Sequence, residues 1–285
     1  MPMSTVSPAA MGCWPPPEGV RLGLYRLRQT RYGLMCYNPR DIYVGRALDL
    51  YGEFSAEEAR LLEQLLAPQA VVVEAGAHVG AHTLALARAV LSGGAVLAFE
   101  PQRLLFQMLC ANLALNGLTH VHAEQAALGA EGGYVTVPLL DPSMTCNFAG
   151  LSLDGHAQGE RIRRIALDDY HLSRCDLIKI DVEGMEGQVL AGAANTIARL
   201  RPIVYLENDR RDRSAALIAQ LTQLGYRLYW HLPPLFAADN YAANRTNVFN
   251  DIVSVNLLGL PLESPLPPPP LRPVRGPHDW WQAAG

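Results

Sequence analysis

The chain has 285 residues, 49% apolar and 18% charged, which is ample for a large core and excludes a globally disordered protein. Lys plus Arg number 23 against 27 Asp plus Glu, a net charge of −4, and this balance argues against a nucleic acid or an anionic membrane as partner. The basic runs at 161–164 and 210–213 stand beside acids and read as solvated faces. Cys13, Cys36, Cys110, Cys146 and Cys175 are widely spaced with no CxxC pair, which fits a reduced, cytoplasmic compartment. The start lacks a cationic stretch followed by an apolar one, so no secretory signal is expected. The most apolar region, 81–99, is broken by Arg88 and Gly93-Gly94, against a membrane span.

Three segments are expected: 1–50 as a leader and cap, 51–261 as one catalytic domain, and 262–285 as a proline-rich tail. The first nineteen residues hold Pro15-Pro16-Pro17, and Pro267 to Pro270 stiffen the tail against regular packing. Tyr25, Tyr32, Tyr37 and Tyr43 supply aromatic surface either to cover a cleft or to form a homo-oligomer interface.

Between the ends, strand and helix signals alternate. Strands are expected at 70–74 (AVVVE), 95–100 (AVLAFE), 120–123, 177–181 (LIKID), 203–207 (IVYLE), 226–231 and 251–257. Helices are expected at 83–91, 101–116, 185–200 and 212–224, with Pro101 in a first turn and Gly117 and Gly225 past their ends. Such alternation predicts βαβ units and a parallel sheet, and the continuous apolar runs predict strands buried on both faces. Ligands of such sheets bind at the carboxyl ends of the strands, where Glu74, Glu100, Asp181 and Glu207 stand.

The stretch Glu74-Ala-Gly76-Ala-His78-Val-Gly80 closes the first of these strands. Gly76 permits a tight turn and Gly80 close backbone approach to a ligand. A dinucleotide loop would carry glycine where His78 stands, and Glu74 would crowd a phosphate. A ligand with positive charge and no phosphate, such as S-adenosylmethionine, fits better. Glu100, twenty residues after Gly80, is placed to accept both hydroxyls of a ribose. His78 and His82 have the spacing of a metal pair on a helix, but His78 lies in the loop and reads as a residue near the cofactor. Residues 176–186 set Asp181, Glu183 and Glu186 around Gly184, and three acids at one strand-to-helix junction call for a nearby cation.

EAGAHVG, AFEP, LDDY (167–170) and LIKIDVEGMEGQVLAGA resemble the FkbM family of S-adenosylmethionine-dependent methyltransferases, over about residues 51–261. The resemblance implies a class I methyltransferase fold: a central, mostly parallel, seven-stranded sheet with helices on both faces and a last antiparallel strand. It implies methyl transfer to a hydroxyl of a sugar, polyketide or other secondary metabolite. Carried over, Glu74, Gly76 and Gly80 match the first donor motif, Glu100 the ribose acid, Gln125 and Ala126 the adenine-side loop, and Asp181 the transfer centre. Glu53, His78, Thr83 and Pro101 complete the expected donor contacts. The family commonly has Asp at position 74 and Asn at position 78.

Asp181, Glu207 and Asn208 also resemble the Mg²⁺ ligands of some O-methyltransferases, and hard oxygen ligands suit that ion. His231 is a candidate general base beside Asp181 and Glu183. In the loop 230–251, Asn240, Tyr241, Asn244 and Asn247, with Asn208, mix amides and aromatic faces as a polyol site does; the alternative is an Asn-rich turn that serves its own backbone. Two competing functions are a non-catalytic binding module on the same fold and an NAD(P)-dependent oxidoreductase.

Overall fold

The computed structural model describes residues 19–91, 93–150, 156–267 and 269–282. Nearly all of the leader expected over 1–19 therefore lies outside the described residues. Turns at Gly23 and at Thr30, whose hydroxyl donates to the Gly33 carbonyl at 2.7 Å, fold the next segment into a meander. Its strands are β1 (Val20–Leu22), β2 (Tyr25–Thr30) and β3 (Gly33–Tyr37). Helices α1 (Val44–Tyr51) and α2 (Ala56–Leu65) follow. The parallel units then begin: β4 (Val71–Ala75), α3 (Ala81–Ala89), β5 (Ala95–Phe99), α4 (Arg103–Leu115) and β6 (Val121–Glu124). A flanking sheet of β7 (Ala126–Leu128), β8 (Gly133–Val137) and β9 (Glu160–Ile165) interrupts them. The chain returns through a 3₁₀ turn (Leu167–Tyr170), β10 (Leu177–Ile180), α5 (Glu186–Gly192), α6 (Ala194–Leu200), β11 (Ile203–Glu207), α7 (Arg211–Gln223), β12 (Tyr226–His231), β13 (Asn256–Pro261) and β14 (Arg272–Pro273).

The central sheet runs β14-β12-β13-β11-β10-β4-β5-β6. The pairs from β11 to β6 are parallel, and β13 is antiparallel to both neighbours, β11 and β12. This is the doubly wound sheet with a late antiparallel strand that the class I fold requires. It has an eighth strand that the expected seven did not include. That strand comes from the tail: Arg272 and Pro273 pair with Trp230 and Tyr229, and Trp280 meets Trp230 edge-to-face at 5.8 Å. Proline is tolerated there because the strand lies at a sheet edge.

The strands are apolar throughout because both faces are covered. Val72, Val96 and Leu177 pack with Leu84, Leu86 and Leu109 from α3 and α4 on one face. Val73, Ile178, Ile180 and Val204 pack with Val189, Ile197 and Leu217 from α5–α7 on the other. The meander joins the first face through α4. Asn112 and Asn116, one helical turn apart, bond the backbone of Cys36 and Leu34 at 2.6–3.0 Å, as a neighbouring strand would.

Two expected elements differ. The helix predicted over 185–200 is two helices that meet at Ala193, where Gly192 packs so closely on Gly129 that a Cβ would overlap its carbonyl oxygen. The last strand begins at Asn256, not 251, because the preceding residues bond elsewhere: Ser254 N–H donates to the Pro233 carbonyl and Asn208 N–H to that of Val255. Among the described residues, no helix is long and apolar enough to cross a membrane.

Candidate active site

A cavity of about 360 Å³ opens at the carboxyl ends of β4, β5, β10 and β11. Strand register brings the ends level: Lys179 lies between Glu74 and Tyr205 on adjacent strands, and Glu74 beside Ala98. Glu74, Glu100, Asp181 and Glu207 therefore reach one space. Beside Glu100, the walls are Phe99, Pro101, Leu105, Ala126, Val137 and Phe148, an apolar slot.

The first loop carries three left-handed residues, Gly76, His78 and Gly80. Gly76 (φ 83°) turns off β4 so close to β10 that a Cβ would overlap the Asp181 carbonyl oxygen, so a strand crossing demands this glycine. His78 adopts φ 52°, a conformation Asn and His tolerate better than most residues, which accounts for either at this position. Its N–H donates to Glu100 Oε2 at 2.8 Å, and Gln102 N–H donates to Glu100 Oε1 at 2.7 Å. Burial pushes Glu100 up to about 7, against the pull of these two N–H groups. Burial likewise raises Glu74 to about 7, opposed by the Lys179 charge and the Thr83 hydroxyl at 2.6 Å.

The second loop, after β10, holds Glu183 (φ 52°) and Gly184 (φ 92°) in succession, a left-handed turn. The Glu186 carboxylate accepts Gly184 N–H at 2.8 Å, Arg213 donates to the Gly184 carbonyl, and Arg210 reaches Glu183 at 3.1 Å. The run 210–213, expected as a solvated face, thus clamps this turn. Burial, with help from the Asp181 charge, raises Glu183 to about 7. Asp181 faces the cavity with Oδ2 held by Lys179 Nζ at 3.2 Å.

Lys179 is almost fully buried and stands 3.7 Å from Glu58 on α2. Burial pulls its pKa down, but Asp181, Glu58 and Glu74 together hold it above the ordinary lysine value, so it stays charged. Glu58 is the main residue that sequence reading missed. It lines the cavity, buried, 3.6 Å from His82 Nδ1, and burial raises its pKa. The available signal was an acid on the buried stripe of α2, beside Ala59 and Leu62. Tyr43, Phe148, His82 and Asp209 also line the cavity; the first two come from segments with no recognisable motif.

Several expected site residues lie outside the lining. Glu53 accepts from Arg31 Nε at 2.6 Å and from Tyr241 N–H at 2.9 Å, so it ties the chain after α1 to a distant loop. Gly80 caps α3 against Leu109, and Thr83 reaches the site only through Glu74. Gln125 turns toward the Pro101 carbonyl. His231 is buried with Nδ1 2.8 Å from the Tyr205 hydroxyl, and burial lowers its pKa, so it is not placed as a base at the cavity. The asparagines of the 232–255 loop follow the turn alternative. Asn240 bonds Ala237 and Asn244, Asn244 bonds Leu50 and Thr246, and Asn247 bonds Phe249 and Asn250. Tyr241 is exposed and covers Gly52.

The metal expectation gains no support from the geometry, although Asn208 Oδ1 has no hydrogen-bond partner. Asn208 Nδ2 donates to Ser214 Oγ at 2.8 Å outside the lining, and Asp181 is engaged by Lys179. Among the described residues no three His, Cys, Asp or Glu side chains converge as metal ligands, and His78 and His82 face different acids, Asp41 and Glu58.

No curated protein matches the chain. Among solved structures it is similar to an FkbM methyltransferase from Methylobacillus flagellatus KT (TM-score 0.47, 19% identity, 69% of this chain). The chain spans 45% of that protein's length. It is also similar to a SAM-dependent methyltransferase from Agrobacterium tumefaciens (TM-score 0.49, 10% identity, 86% of this chain and 72% of that one). A third is M. jannaschii TYW2 in complex with AdoMet (TM-score 0.45, 13% identity, 84% and 87%). The family profile described as the methyltransferase FkbM domain matches residues 74–228, more than half of the chain and all four acid-bearing strand ends. The chain therefore belongs to the FkbM methyltransferase family.

Proposed function

We propose that the protein transfers the methyl group of S-adenosylmethionine to a hydroxyl of a small molecule. One observation carries the reading: a single cavity joins an apolar slot and a doubly anchored ribose acid, Glu100, to the acidic turn Asp181–Gly184. The donor set fits the cofactor. Glu100 keeps lone pairs for two hydroxyls, the slot suits a flat base, and the acids outnumber Lys179, as a ligand bearing a sulfonium and an ammonium requires. When bound, the cofactor supplies an electrophilic methyl on a positively charged sulfur.

The chain's own residues then orient and deprotonate. Asp181, fixed by Lys179, holds the reacting end of the cavity and favours positive charge beside it. Glu183 is the proposed proton acceptor for the attacking hydroxyl, since it lines the cavity and its pKa of about 7 is matched to work near neutrality. Its left-handed backbone is the strain often stored at working residues.

The test is calorimetric titration with S-adenosylmethionine and S-adenosylhomocysteine, followed by transfer of a labelled methyl to a polyol panel. Micromolar donor binding and an O-methylated product support the reading; no binding of either ligand sinks it. Glu183→Gln is expected to lower kcat by about 10²–10³-fold and to remove the acidic limb near pH 7, with donor affinity kept.

A further inference from the structure

The acid-rich wall at the β11 end of the cavity exceeds what the donor accounts for. Glu100, assigned to the donor's ribose, directly follows β5, three strands from β11, a distance of about 14 Å at ordinary strand spacing. At the far end stand Asp181, Glu183, Glu207 and Asp209. Three of these are compensated within the protein. Lys179 reaches Asp181 at 3.2 Å, Arg210 reaches Glu183 at 3.1 Å, and the Arg210 Nε lies 3.9 Å from Asp209. Glu207 is not: it lines the cavity, its Oε2 is shut off from solvent, and that oxygen has no hydrogen-bond partner. A buried carboxyl left in this state is costly unless a ligand completes it.

Resting on the methyltransferase reading, we propose that the β11 end is an ammonium subsite and that the methyl acceptor is a polyol bearing an amine. Glu207 binds the ammonium, and Asp181 and Asp209 add their charge. Leu235, Ile252 and Val253 line the same cavity and offer the carbon skeleton an apolar surface. An organic ammonium fits better than a metal ion, because these acids do not converge as metal ligands, whereas an ammonium can satisfy spaced acceptors with three separate N–H donors. Burial, reinforced by the charges of Asp181, Asp209, Glu183 and Glu186, pushes the pKa of Glu207 well up.

The probes are three six-carbon polyols that differ only at one end: 1-amino-1-deoxysorbitol, sorbitol and gluconate. Each is titrated against the full chain saturated with S-adenosylhomocysteine, followed by ligand-observed NMR. The amine is expected to bind about tenfold or more tighter than sorbitol, with gluconate weakest, as one charge-assisted hydrogen bond gives. Glu207→Gln should erase the preference for the amine while S-adenosylhomocysteine binds as before. Asp209→Asn, at a more exposed site, should reduce the preference about threefold. Equal binding of the three, binding of none, or a preference that survives Glu207→Gln would overturn the proposal. Failure of S-adenosylhomocysteine to bind the unaltered protein would instead strike the methyltransferase reading.

Discussion

Two stretches of the chain are rich in polar side chains, and the structure uses them in opposite ways. At the ends of β10 and β11, Asp181, Glu183, Glu207 and Asp209 line the cavity; burial raises the pKa of the last three, and Glu207 keeps an oxygen without a partner. In the loop 232–255, Asn240, Asn244 and Asn247 spend their amides on carbonyl and N–H groups of nearby backbone, and on α1 through Leu50. The loop lacks regular structure, so its backbone needs partners and the asparagines provide them. The strand backbones are already paired in the sheet, so the carboxyls beyond them meet side-chain cations and the cavity instead of backbone, and Glu207 keeps an oxygen without a partner. Polar density does not locate a site; what remains after the backbone has been satisfied does.

The sharpest way to break this comparison is Asp181→Ala. Turnover is expected to fall by about 10³-fold or more with the circular dichroism spectrum unchanged, as loss of a preorganised charge at a reacting centre does. Full activity would move the chemistry elsewhere. Glu100→Ala should raise the donor dissociation constant by about 10–100-fold in calorimetry, because it removes the proposed ribose acceptor and strands the N–H groups of His78 and Gln102.

A pH series sharpens the same point. Glu74, Glu100 and Glu183 bind protons more tightly folded than unfolded, with folded values of about 7 against 4.5. Their stabilisation is complete below about pH 4.5 and is lost as pH rises through about 7. His82 works oppositely: with a folded value of about 3, its contribution is lost only as pH falls below the ordinary histidine range. Above about pH 6.5 the carboxyls dominate and the last part of the histidine titration opposes them, so urea unfolding of the ligand-free protein should give a free energy on the order of 1–2 kcal/mol lower at about pH 8 than at about pH 6.5. A flat profile would mean that these acids are better solvated than their burial implies.

The smallest expected effect falls on the other region. Asn240→Ala removes three hydrogen bonds from a buried amide and should lower stability by about 1–3 kcal/mol. The rate at saturating substrate should stay within about twofold. A large rise in KM without loss of stability would return this loop to the acceptor site.

The frame is legible along the chain alone: apolar runs long enough for strands covered on both faces, helices between them, and acids at four strand ends. These are local patterns, and a parallel sheet translates them directly, because consecutive strand ends must come level at one edge. Asp181, Glu183, Glu100 and Gly76 were legible for that reason. The edge strand supplied by the tail was not, since proline signals an edge without naming which edge it will join. Nor was Glu58, which reaches the cavity only because α2 packs over Lys179, nor the fate of His231, whose partner Tyr205 sits two strands away. Tertiary structure decided these. Whether a side chain faces a ligand or another side chain depends on packing between elements distant in sequence, and no spacing along the chain records it.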